Sequence, residues 1–268
     1  MKQMKKDYQI AFIDIDWTIL DHNTKDWDYP SIEAIKKLQQ TGVLIIFATA
    51  RSYASVVGTG LFNLITPNGM ITNNGGLTFF DDKIINKNTF PEELARKVLD
   101  VANKHQVVLQ FACLKDRFFT QEANEYVRQY FSVYYEAYPP VKQNDVSNVT
   151  EILAFIPEEY DEILTRELPQ ELRYYRYDTY GVNISYFANK KGDAVIKLLY
   201  YLNIDKEKAI AFGDSQDDIS MFESVGFSAA MGNSKDDLVK EKATIVTDTI
   251  SNHGVATTIA NLFFNKLV

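Results

Sequence analysis

The chain has 268 residues, 46% of them apolar and 24% charged, which is typical of a globular protein with two domains or one large one. The net charge of −8 argues against nucleic acid as a partner, because phosphate backbones are bound by clustered Lys and Arg. One cysteine, Cys113, excludes an internal disulfide and a multi-cysteine metal site. The three histidines, His22, His105 and His253, have no metal-ligand spacing and are interpreted as ordinary surface or turn residues.

The sequence contains no segment typical of secretion or of membrane insertion. Its start, "MKQMKKDYQIAFIDID", has lysines but no long apolar core and no small-residue cleavage site. No apolar run approaches the roughly 18 residues of a membrane-spanning helix. We therefore expect a cytoplasmic protein that binds neither membrane nor nucleic acid, and a monomer, because no interface signal is visible.

The first 75 residues alternate between predicted strands and helices. "YQIAFID" is a short apolar strand, and "SIEAIKKLQQTG" is a helix with Ser31 as its candidate N-cap and Gly42 as its stop. "VLIIFATA" is apolar and β-branched, as expected of a strand that is buried on both faces of a parallel sheet. "SYASVVGTGLF" is a further helix, and "GMITNNGG" is a short strand that runs into a glycine turn.

Residues 80–186 have a different composition and are rich in Tyr and Phe. The segments "VVLQFA", "EILAFI", "RYYRY" and "VNISYF" are predicted strands, and "PEELARKVLDVANKH" is a predicted helix. Alternating polar and aromatic residues favour an antiparallel sheet with one face covered. The aromatic side chains are interpreted as core rather than as a platform for a ligand.

The alternation of strands and helices returns after residue 186. "KAIAFGD", "FSAAMG" and "TIVT" are predicted strands, separated by the helices "GDAVIKLLYYLN", "DDISMFESVG", "SKDDLVKEKA" and "SNHGVATTIANLFF". Such alternation predicts an α/β fold with a parallel sheet and right-handed crossovers. We expect one domain from residues 1–79 and 187–268, with an α/β domain of residues 80–186 inserted into it.

Four predicted loops carry polar residues where strands end or the following helices begin. This is the edge at which open α/β sheets bind ligands. Each residue alone has an ordinary explanation, such as a turn, a helix cap or a solvated lysine. Their occurrence together, with complementary chemistry, favours one site. In chain order the residues are Asp14, Asp16 and Thr18; Thr49 and Arg51; Lys191; and Asp214, Asp217 and Asp218.

The chemistry of these residue types fits phosphoryl transfer. Converging carboxylates repel one another unless a cation neutralises them, and oxygen ligands without His or Cys suit Mg²⁺. Lysine, a threonine hydroxyl and backbone N–H groups are donors for phosphate. A carboxylate opposite a bound phosphate can act as a nucleophile, and a second one two residues later can protonate the leaving oxygen. The pair Asp14 and Asp16 can thus divide nucleophile from acid–base.

At this point the sequence resembles the haloacid dehalogenase superfamily of phosphohydrolases. "DIDWT" is similar to its first motif, and Thr49 in "ATAR", Lys191 in "NKKG" and "GDSQDD" are similar to its second, third and fourth motifs, in order. "TNNGG", "AMGNS" and "NHGVA" resemble signatures of the Cof-type subfamily. The resemblance implies a Rossmann-like parallel-sheet core with an inserted cap. Roughly 140 residues separate Thr49 from Lys191, which is room for an α/β cap of the C2B type.

The resemblance also implies roles for individual residues and Mg²⁺ as the cofactor. Asp14 attacks phosphorus and binds the metal; Asp16 is the general acid and then the base, and its backbone carbonyl contacts the metal. Thr49, the N–H of Ala50 and Lys191 hold the phosphoryl oxygens. Asp214 is the third metal ligand. Asp218, Asp217 and Arg51 are expected to support the site.

Two positions depart from the subfamily pattern. Trp17 stands where Gly is usual, and its bulky indole could narrow the flap or the entrance. Asp217 stands where Asn is usual, and an ionised Asp cannot donate a hydrogen bond to phosphate. Our hypothesis is that Asp217 contacts the water shell of the metal or is oriented by Lys191.

Three functions remain open from the sequence. The leading one is a Mg²⁺-dependent phosphatase of small phosphorylated metabolites, with sugar phosphates as the first class and nucleotide or cofactor phosphates as the next. The second is a phosphotransferase or phosphomutase that uses the same aspartates. The third is a catalytically silent phosphate-binding regulatory protein, which would be expected to lose Asp14, Asp16 or Lys191.

Overall fold

A computed structural model describes residues 7–134, 137–142, 145–176, 179–186 and 189–264. The chain divides into two compact units. The first contains the chain up to Ala50, then Phe62–Asn86, then the chain from Asn189 onward, and the second contains Arg51–Leu61 and residues 87–188. The units differ from the predicted domains at residues 51–61 and 80–86. The predicted boundary at 186/187 adjoins residues 187–188, which lie outside the described part, and the predicted boundaries remain a proposal.

The strands are short, mostly of four or five residues. In chain order they are β1 (Ile10–Ile13), β2 (Leu20–Asp21), β3 (Asp26–Trp27), β4 (Leu44–Ala48), β5 (Gly69–Thr72), β6 (Leu77–Phe80), β7 (Lys83–Lys87), β8 (Val108–Ala112), β9 (Arg117–Phe119), β10 (Glu151–Phe155), β11 (Arg173–Arg176), β12 (Gly181–Ser185), β13 (Ala209–Gly213), β14 (Phe227–Ala230) and β15 (Ile245–Val246).

Helices connect most of these strands. They are α1 (Tyr29–Gln40), α2 (Tyr53–Gly58), α3 (Leu61–Leu64), α4 (Glu92–Lys104), α5 (Glu125–Tyr134), α6 (Asp161–Glu167), α7 (Lys191–Leu202), α8 (Gln216–Phe222), α9 (Asp237–Lys242) and α10 (Gly254–Ile259). Short 3₁₀ turns occupy Asn73–Gly75, Glu158–Tyr160, Lys206–Lys208 and Ile250–Asn252, and α10 continues into a π-helical turn at Ala260–Phe264.

A sheet forms the centre of the first unit. Among the described residues it has eight strands in the order β15-β14-β13-β1-β4-β5-β6-β7. The strands from β15 to β5 pair in parallel, and β6 pairs antiparallel with β5. All residues of β1 and β13 are buried because these strands lie in the middle of the sheet. The carboxyl ends of β1, β4 and β13 therefore meet at one edge.

The sequence did not reveal β6 and β7, which extend this sheet. The strand β6 follows the glycine turn directly, and β7 lies at the edge, where its residues are exposed or half-buried. Both fall at or beyond residue 77, close to or inside the segment that was predicted to belong to the inserted domain. In the sheet β6 lies beside β5, and β7 lies beside β6; a local sequence pattern does not contain this pairing.

The predicted helix after β1 is confirmed, but its cap is different. Helix α1 begins at Tyr29 and not after Ser31, because Pro30 occupies its first turn, where a missing N–H costs nothing. Ser31 lies inside the helix; its hydroxyl donates to Asp28 Oδ2, and its oxygen accepts from the N–H of Ala256 in α10. The N-cap prediction for Ser31 was therefore wrong.

The loop between β1 and α1 contains a small hairpin, here called the flap, formed by β2 and β3. Leu20 pairs with Trp27 and Asp21 with Asp26. The side chain of Asp21 accepts a hydrogen bond from the N–H of Asn23 at 2.9 Å, which fixes the turn. The flap is short, as the spacing between β1 and α1 predicts.

The second unit contains an antiparallel sheet in the order β11-β12-β10-β8-β9. Its antiparallel pairing confirms the prediction, although β9 was missed. One face packs on a cluster that includes Phe111, Ile152 and Val98 of α4. The other face also carries apolar side chains, Phe119 and Phe155, which pack with residues of α5. The expectation of a single covered face was therefore wrong.

An ion network joins two elements of the second unit. The guanidinium of Arg176 donates to both carboxylate oxygens of Asp161, with Nε 2.9 Å from Oδ2, and the hydroxyl of Tyr174 donates to Oδ1. The hydrogen bond from Arg176 lowers the pKa of Asp161 below its ordinary value. The carboxylate is thus fully provided with donors.

Within the described ranges, none of the helices has the length and apolar character needed to cross a membrane.

Candidate active site

The site forms where β1 ends in the first unit. Asp14 follows β1 directly, and its N–H donates to the carbonyl of Phe212 in β13 at 2.9 Å. The carboxyl of Asp14 is 5% exposed and accepts a hydrogen bond from the Thr18 hydroxyl at 3.3 Å. A carboxyl group at this depth must find donors or a cation, because burial disfavours its charged form.

Lys191 supplies the cationic partner. Its Nζ lies 2.6 Å from Oδ1 of Asp14 and 2.6 Å from Oδ1 of Asp218, although the lysine is 177 residues from Asp14 in sequence. Lys191 is 2% exposed and Asp218 is fully buried. Burial opposes the charge of Lys191, but Asp14 and Asp218 together outweigh it and raise the pKa of the ammonium. The lysine is therefore held charged between two carboxylates.

Two glycines allow this close approach. A Cβ on Gly213, at the end of β13, would lie 2.4 Å from the Cγ of Asp218. A Cβ on Gly192, next to Lys191, would lie 2.1 Å from the carbonyl oxygen of Ser220 in α8. Any larger residue would push apart the strand and the two helices that bring lysine and carboxylates together.

Asp218 is held by its own helix. Ser215 and Asp218 form a capping box at the start of α8, and Oδ2 of Asp218 accepts the N–H of Asp214, the N–H of Ser215 and the hydroxyl of Ser215. With Lys191 on Oδ1, both oxygens of Asp218 have donors. The carboxylate therefore contacts both the lysine and the loop that carries Asp214, and its supporting role in the site remains a prediction.

Asp14, Asp214 and Asp218 form a group that could hold a metal ion, with one ligand atom of each within 4.8 Å of the others. Burial raises the pKa of Asp14 to about 8, with Lys191 opposing and Asp218 and Asp16 adding to the rise. Burial likewise raises the pKa of Asp214 to about 9, and the neighbouring Asp14 and Asp218 add to it. The lysine thus offsets only part of the negative charge.

The donor set fits a hard divalent cation. It consists of carboxylates, with no His or Cys side chain in the group that the structure brings together. Asp14 and Asp214 retain capacity for a ligand, whereas the oxygens of Asp218 are occupied by donors. The carboxylate of Asp16 is not part of this group, so the predicted contact would run through its backbone carbonyl.

The second predicted loop lies beside β1. Thr49 follows β4, is 1% exposed, and donates its N–H to the carbonyl of Ile71; its own carbonyl accepts the N–H of Asn74. Ala50 is exposed. Arg51 belongs to the second compact unit, where its guanidinium donates to Ser55 at 3.1 Å, and its supporting role remains a prediction.

Asp16 has a partner that sequence reasoning missed. Nε2 of His22 lies 2.6 Å from Oδ1 of Asp16, with the two side chains 19% and 29% exposed. The sequence offered only the position of His22 in the flap, six residues after Asp16, and His22 was interpreted as an ordinary surface or turn residue. His22 does lie in a turn, but the contact of its imidazole with the predicted acid–base carboxylate was not foreseen.

The unusual Trp17 has a backbone explanation and a side-chain contact. Its φ is 58°, in the left-handed region, which accounts for Gly as the usual residue there. The carbonyl of Trp17 accepts from Asn233 at 2.9 Å, and its N–H donates to the carbonyl of Leu20. The indole packs on the ring of His22, with centroids 5.2 Å apart. These contacts hold a conformation that costs a non-glycine residue about 1–2 kcal/mol.

Asp217 lies at the exposed side of the site. Its Oδ2 accepts a hydrogen bond from Nδ2 of Asn74 at 3.1 Å, whereas the contacts of Lys191 go to Asp14 and Asp218. The alternative in which Lys191 orients Asp217 is therefore wrong. A contact of Asp217 with the water shell of a metal remains a prediction.

The class of protein follows from this geometry together with the sequence. Residues 11–259 match the pattern of the haloacid dehalogenase-like hydrolases. The chain belongs to this family, so the predicted membership and fold are confirmed. Phosphatases of the family use a divalent metal, and the buried group of Asp14, Asp214 and Asp218 is consistent with one.

Individual relatives have names that agree with this class. Phosphoglycolate phosphatase 1 of Saccharolobus solfataricus is 26% identical over 248 residues, 92% of each chain. The 5-amino-6-(5-phospho-D-ribitylamino)uracil phosphatase YcsE of Bacillus subtilis is 25% identical over 259 residues, 94% of this chain and 95% of the relative. The structure of the haloacid dehalogenase subclass IIB sugar phosphatase BT4131 has a TM-score of 0.76 and 25% identity, covering 94% of this chain and 98% of that one. The predicted enzyme class, a phosphatase-type hydrolase, is thus confirmed at the level of the family.

Proposed function

We propose that this chain is a Mg²⁺-dependent phosphatase that hydrolyses small phosphorylated metabolites, with sugar phosphates as the first class to test. The observation that carries the proposal is the buried group of Asp14, Lys191, Asp218 and Asp214 at the end of β1. This group has three carboxyl groups but only one ammonium group, that of Lys191. Burial raises the pKa of Asp14 and of Asp214. Shifts of this kind are typical of functional sites.

In the first chemical step, a carboxylate oxygen of Asp14 attacks phosphorus and the bond from phosphorus to the ester oxygen breaks. Asp16 gives its proton to that oxygen, so the alcohol leaves neutral and Asp16 becomes a carboxylate. In the second step, Asp16 takes a proton from water as the water oxygen attacks phosphorus, and the bond to Asp14 breaks. Asp14 is restored as a carboxylate and Asp16 as an acid.

The remaining residues bind and orient the phosphoryl group. Lys191, the Thr49 hydroxyl and the N–H of Ala50 would donate to its oxygens, and positioning of this kind accounts for much of the rate in phosphoryl transfer. Asp14, Asp214 and the carbonyl of Asp16 would hold Mg²⁺, which when bound neutralises carboxylate charge and polarises a phosphoryl oxygen. Sugar phosphates come first because the sugar phosphatase BT4131 shares the fold. Phosphoglycolate and ribitylaminouracil phosphates follow because relatives are named for them.

The test is hydrolysis of p-nitrophenyl phosphate by the purified chain, with Mg²⁺, with EDTA, and as Asp14→Asn. We expect activity that requires Mg²⁺ and falls by a factor of at least about 10³ in the variant, since the nucleophile is lost. Asp237→Asn, an exposed aspartate in α9, is the matched control and should keep full activity. Activity that survives Asp14→Asn would contradict the proposal. If the proposal holds, a panel of phosphorylated sugars and cofactors ranks the substrates.

A further inference from the structure

The contact between His22 and Asp16 is built by a tight loop. The carbonyl of Ile15 accepts the N–H groups of Ile19 and Leu20, each at 2.9 Å, and the N–H of Trp17 donates to the carbonyl of Leu20. The chain therefore reverses directly after Asp16. This reversal starts the flap, and it brings a residue six positions later back beside the carboxylate.

The ring of His22 is itself held in place. The Trp17 indole packs against it at an interplanar angle of 49°, and the flap that carries it is fixed by the Asp21 turn. The exposed fraction of the His22 side chain, 19%, is lower than that of Asp16. The imidazole is thus a supported ring that can fix the rotamer of a more exposed carboxyl group.

We propose that His22 is the positioning residue for Asp16, with its Nε2–H donating to Oδ1 so that Oδ2 carries the proton that is transferred. This inference rests on the proposed function. A general acid must point at the leaving oxygen, and a proton on the oxygen facing His22 would point away from it. The hydrogen bond to Oδ1 also stabilises the carboxylate that remains after the alcohol has left. No net proton is gained or lost by His22 in either step.

A purely structural reading of the contact makes a different prediction. A partly exposed ion pair contributes about 0–1 kcal/mol to stability, so its loss should barely change unfolding and should affect all substrates alike. A positioning role affects the step that needs the acid. That step is sensitive to the leaving group, because a poor leaving group must be protonated as it departs and a good one need not be.

The experiment compares phenyl phosphate with p-nitrophenyl phosphate, two esters of similar size whose alcohols differ in leaving ability. The quantity is kcat/KM, which covers all steps through release of the alcohol. We expect His22→Ala to lower it about 10- to 100-fold for phenyl phosphate, part of the 10²- to 10⁴-fold typical of general acid catalysis. For p-nitrophenyl phosphate the same factor should stay below about threefold.

Rescue and coupling make the test specific. Gln can place an amide N–H close to the position of Nε2, whereas the shorter Asn cannot, so His22→Gln should recover most of the activity and His22→Asn should not. In an Asp16→Asn background, His22→Ala should cost nothing more, because the group it positions is already absent. The control is His105→Ala, a histidine in the second unit whose Nε2 contacts Glu167 at 3.0 Å. It should leave both rates unchanged.

The outcomes separate the two proposals. Three results would each overturn the role of His22: equal losses of kcat/KM on both esters, a His22→Gln variant no more active than His22→Ala, or a full loss from His22→Ala in the Asp16→Asn background. In each case, turnover that still depends on Mg²⁺ and on Asp14 would uphold the proposed function. A wild-type protein that cleaves neither ester would overturn the proposed function, and this inference with it. Thermal unfolding of each variant checks that the fold is retained.

Discussion

Two clusters of charged residues in this molecule contain similar residue types but differ in the ratio of carboxyl groups to cations. In the first unit, Lys191 contacts Asp14 and Asp218, and these three residues are buried; the neighbouring Asp214 is half-buried. In the second unit, Arg176 faces Asp161, which also accepts from Tyr174. The pKa of Asp161 is lowered by Arg176, whereas burial raises the pKa of Asp14 and Asp214.

The sign of these shifts distinguishes a site from a structural contact. A carboxylate with a lowered pKa is better stabilised in the fold than in water, so the cluster of Asp161 contributes to stability. Carboxyl groups with raised pKa values are destabilised as anions. They are stabilised when a bound cation or a reaction neutralises their charge. The first cluster therefore carries a stored electrostatic cost that ligand binding can relieve.

Among the variants that compare the two clusters, the largest effect is expected from Lys191→Met, which removes the cation and retains much of the side-chain volume. Two carboxylates then lose their partner, and breaking a buried ion pair by removing one member costs about 3–5 kcal/mol. Turnover should fall about 10²- to 10³-fold, as for other donors to a reacting oxygen. Chemical denaturation in EDTA and hydrolysis of p-nitrophenyl phosphate measure the two effects.

The matched change in the other cluster is Arg176→Met. It should lower the free energy of unfolding but leave turnover within about threefold, since it removes a contact without leaving a fully buried charge. If Arg176→Met lowered turnover as strongly as Lys191→Met, the contrast between the clusters would be lost.

A smaller effect with the opposite sign is expected from Asp214→Asn in EDTA. The folded pKa is about 8 for Asp14 and about 9 for Asp214, against an ordinary value of 3.8. At any pH between 3.8 and these raised values, the folded chain therefore binds more protons than the unfolded chain. The stability that these groups contribute is present below about pH 4 and is lost as pH rises through their folded pKa values. Asp214→Asn should therefore raise the free energy of unfolding at pH 9 by on the order of 1–3 kcal/mol and flatten its pH dependence.

Asp161→Asn supplies the comparison for this pH series. The pKa of Asp161 is lowered, so its contribution to stability is present above its ordinary pKa and is lost as pH falls through the folded value. The variant should lower stability at neutral pH and differ less from wild type in acid. Urea unfolding from pH 3 to pH 9 in EDTA measures both variants. A stability of Asp214→Asn that falls with pH as steeply as that of wild type would show that Asp214 is not the group responsible.

The smallest effect is expected from Asp217→Asn, which contrasts an exposed aspartate with the buried Asp218 beside it in sequence. Asp217 contacts Asn74 and lies outside the buried group. If it acts on the water shell of the metal, its screened charge should change apparent Mg²⁺ affinity about two- to fivefold. Titration of activity with Mg²⁺ measures this. Unchanged affinity and turnover would contradict the hypothesis for Asp217.

The parts of the fold that the sequence predicted are those with strong local patterns. The buried strands β1, β4 and β13 appear as apolar runs, and helices such as α7 and α4 show clear periodicity. Weaker patterns failed: β9 has three residues, and β6 and β7 are defined by their pairing in the sheet. The second covered face of the antiparallel sheet was missed because α5 supplies its partner side chains from a distant segment.

The sequence by itself determined which chemistry is available, because residue types at strand ends are visible without coordinates. Asp14, Lys191, Asp214 and Asp218 were all found in this way, and the structure brings them together. Only the tertiary structure decided the different environments of these residues. The donors of the capping box occupy an oxygen of Asp218, whereas Asp214 has a raised pKa. The tertiary structure also decided that His22 joins Asp16, through a chain reversal whose backbone hydrogen bonds leave no periodic trace in the sequence. Burial and loop geometry are properties of the packed chain, and they set the charge and direction of each group.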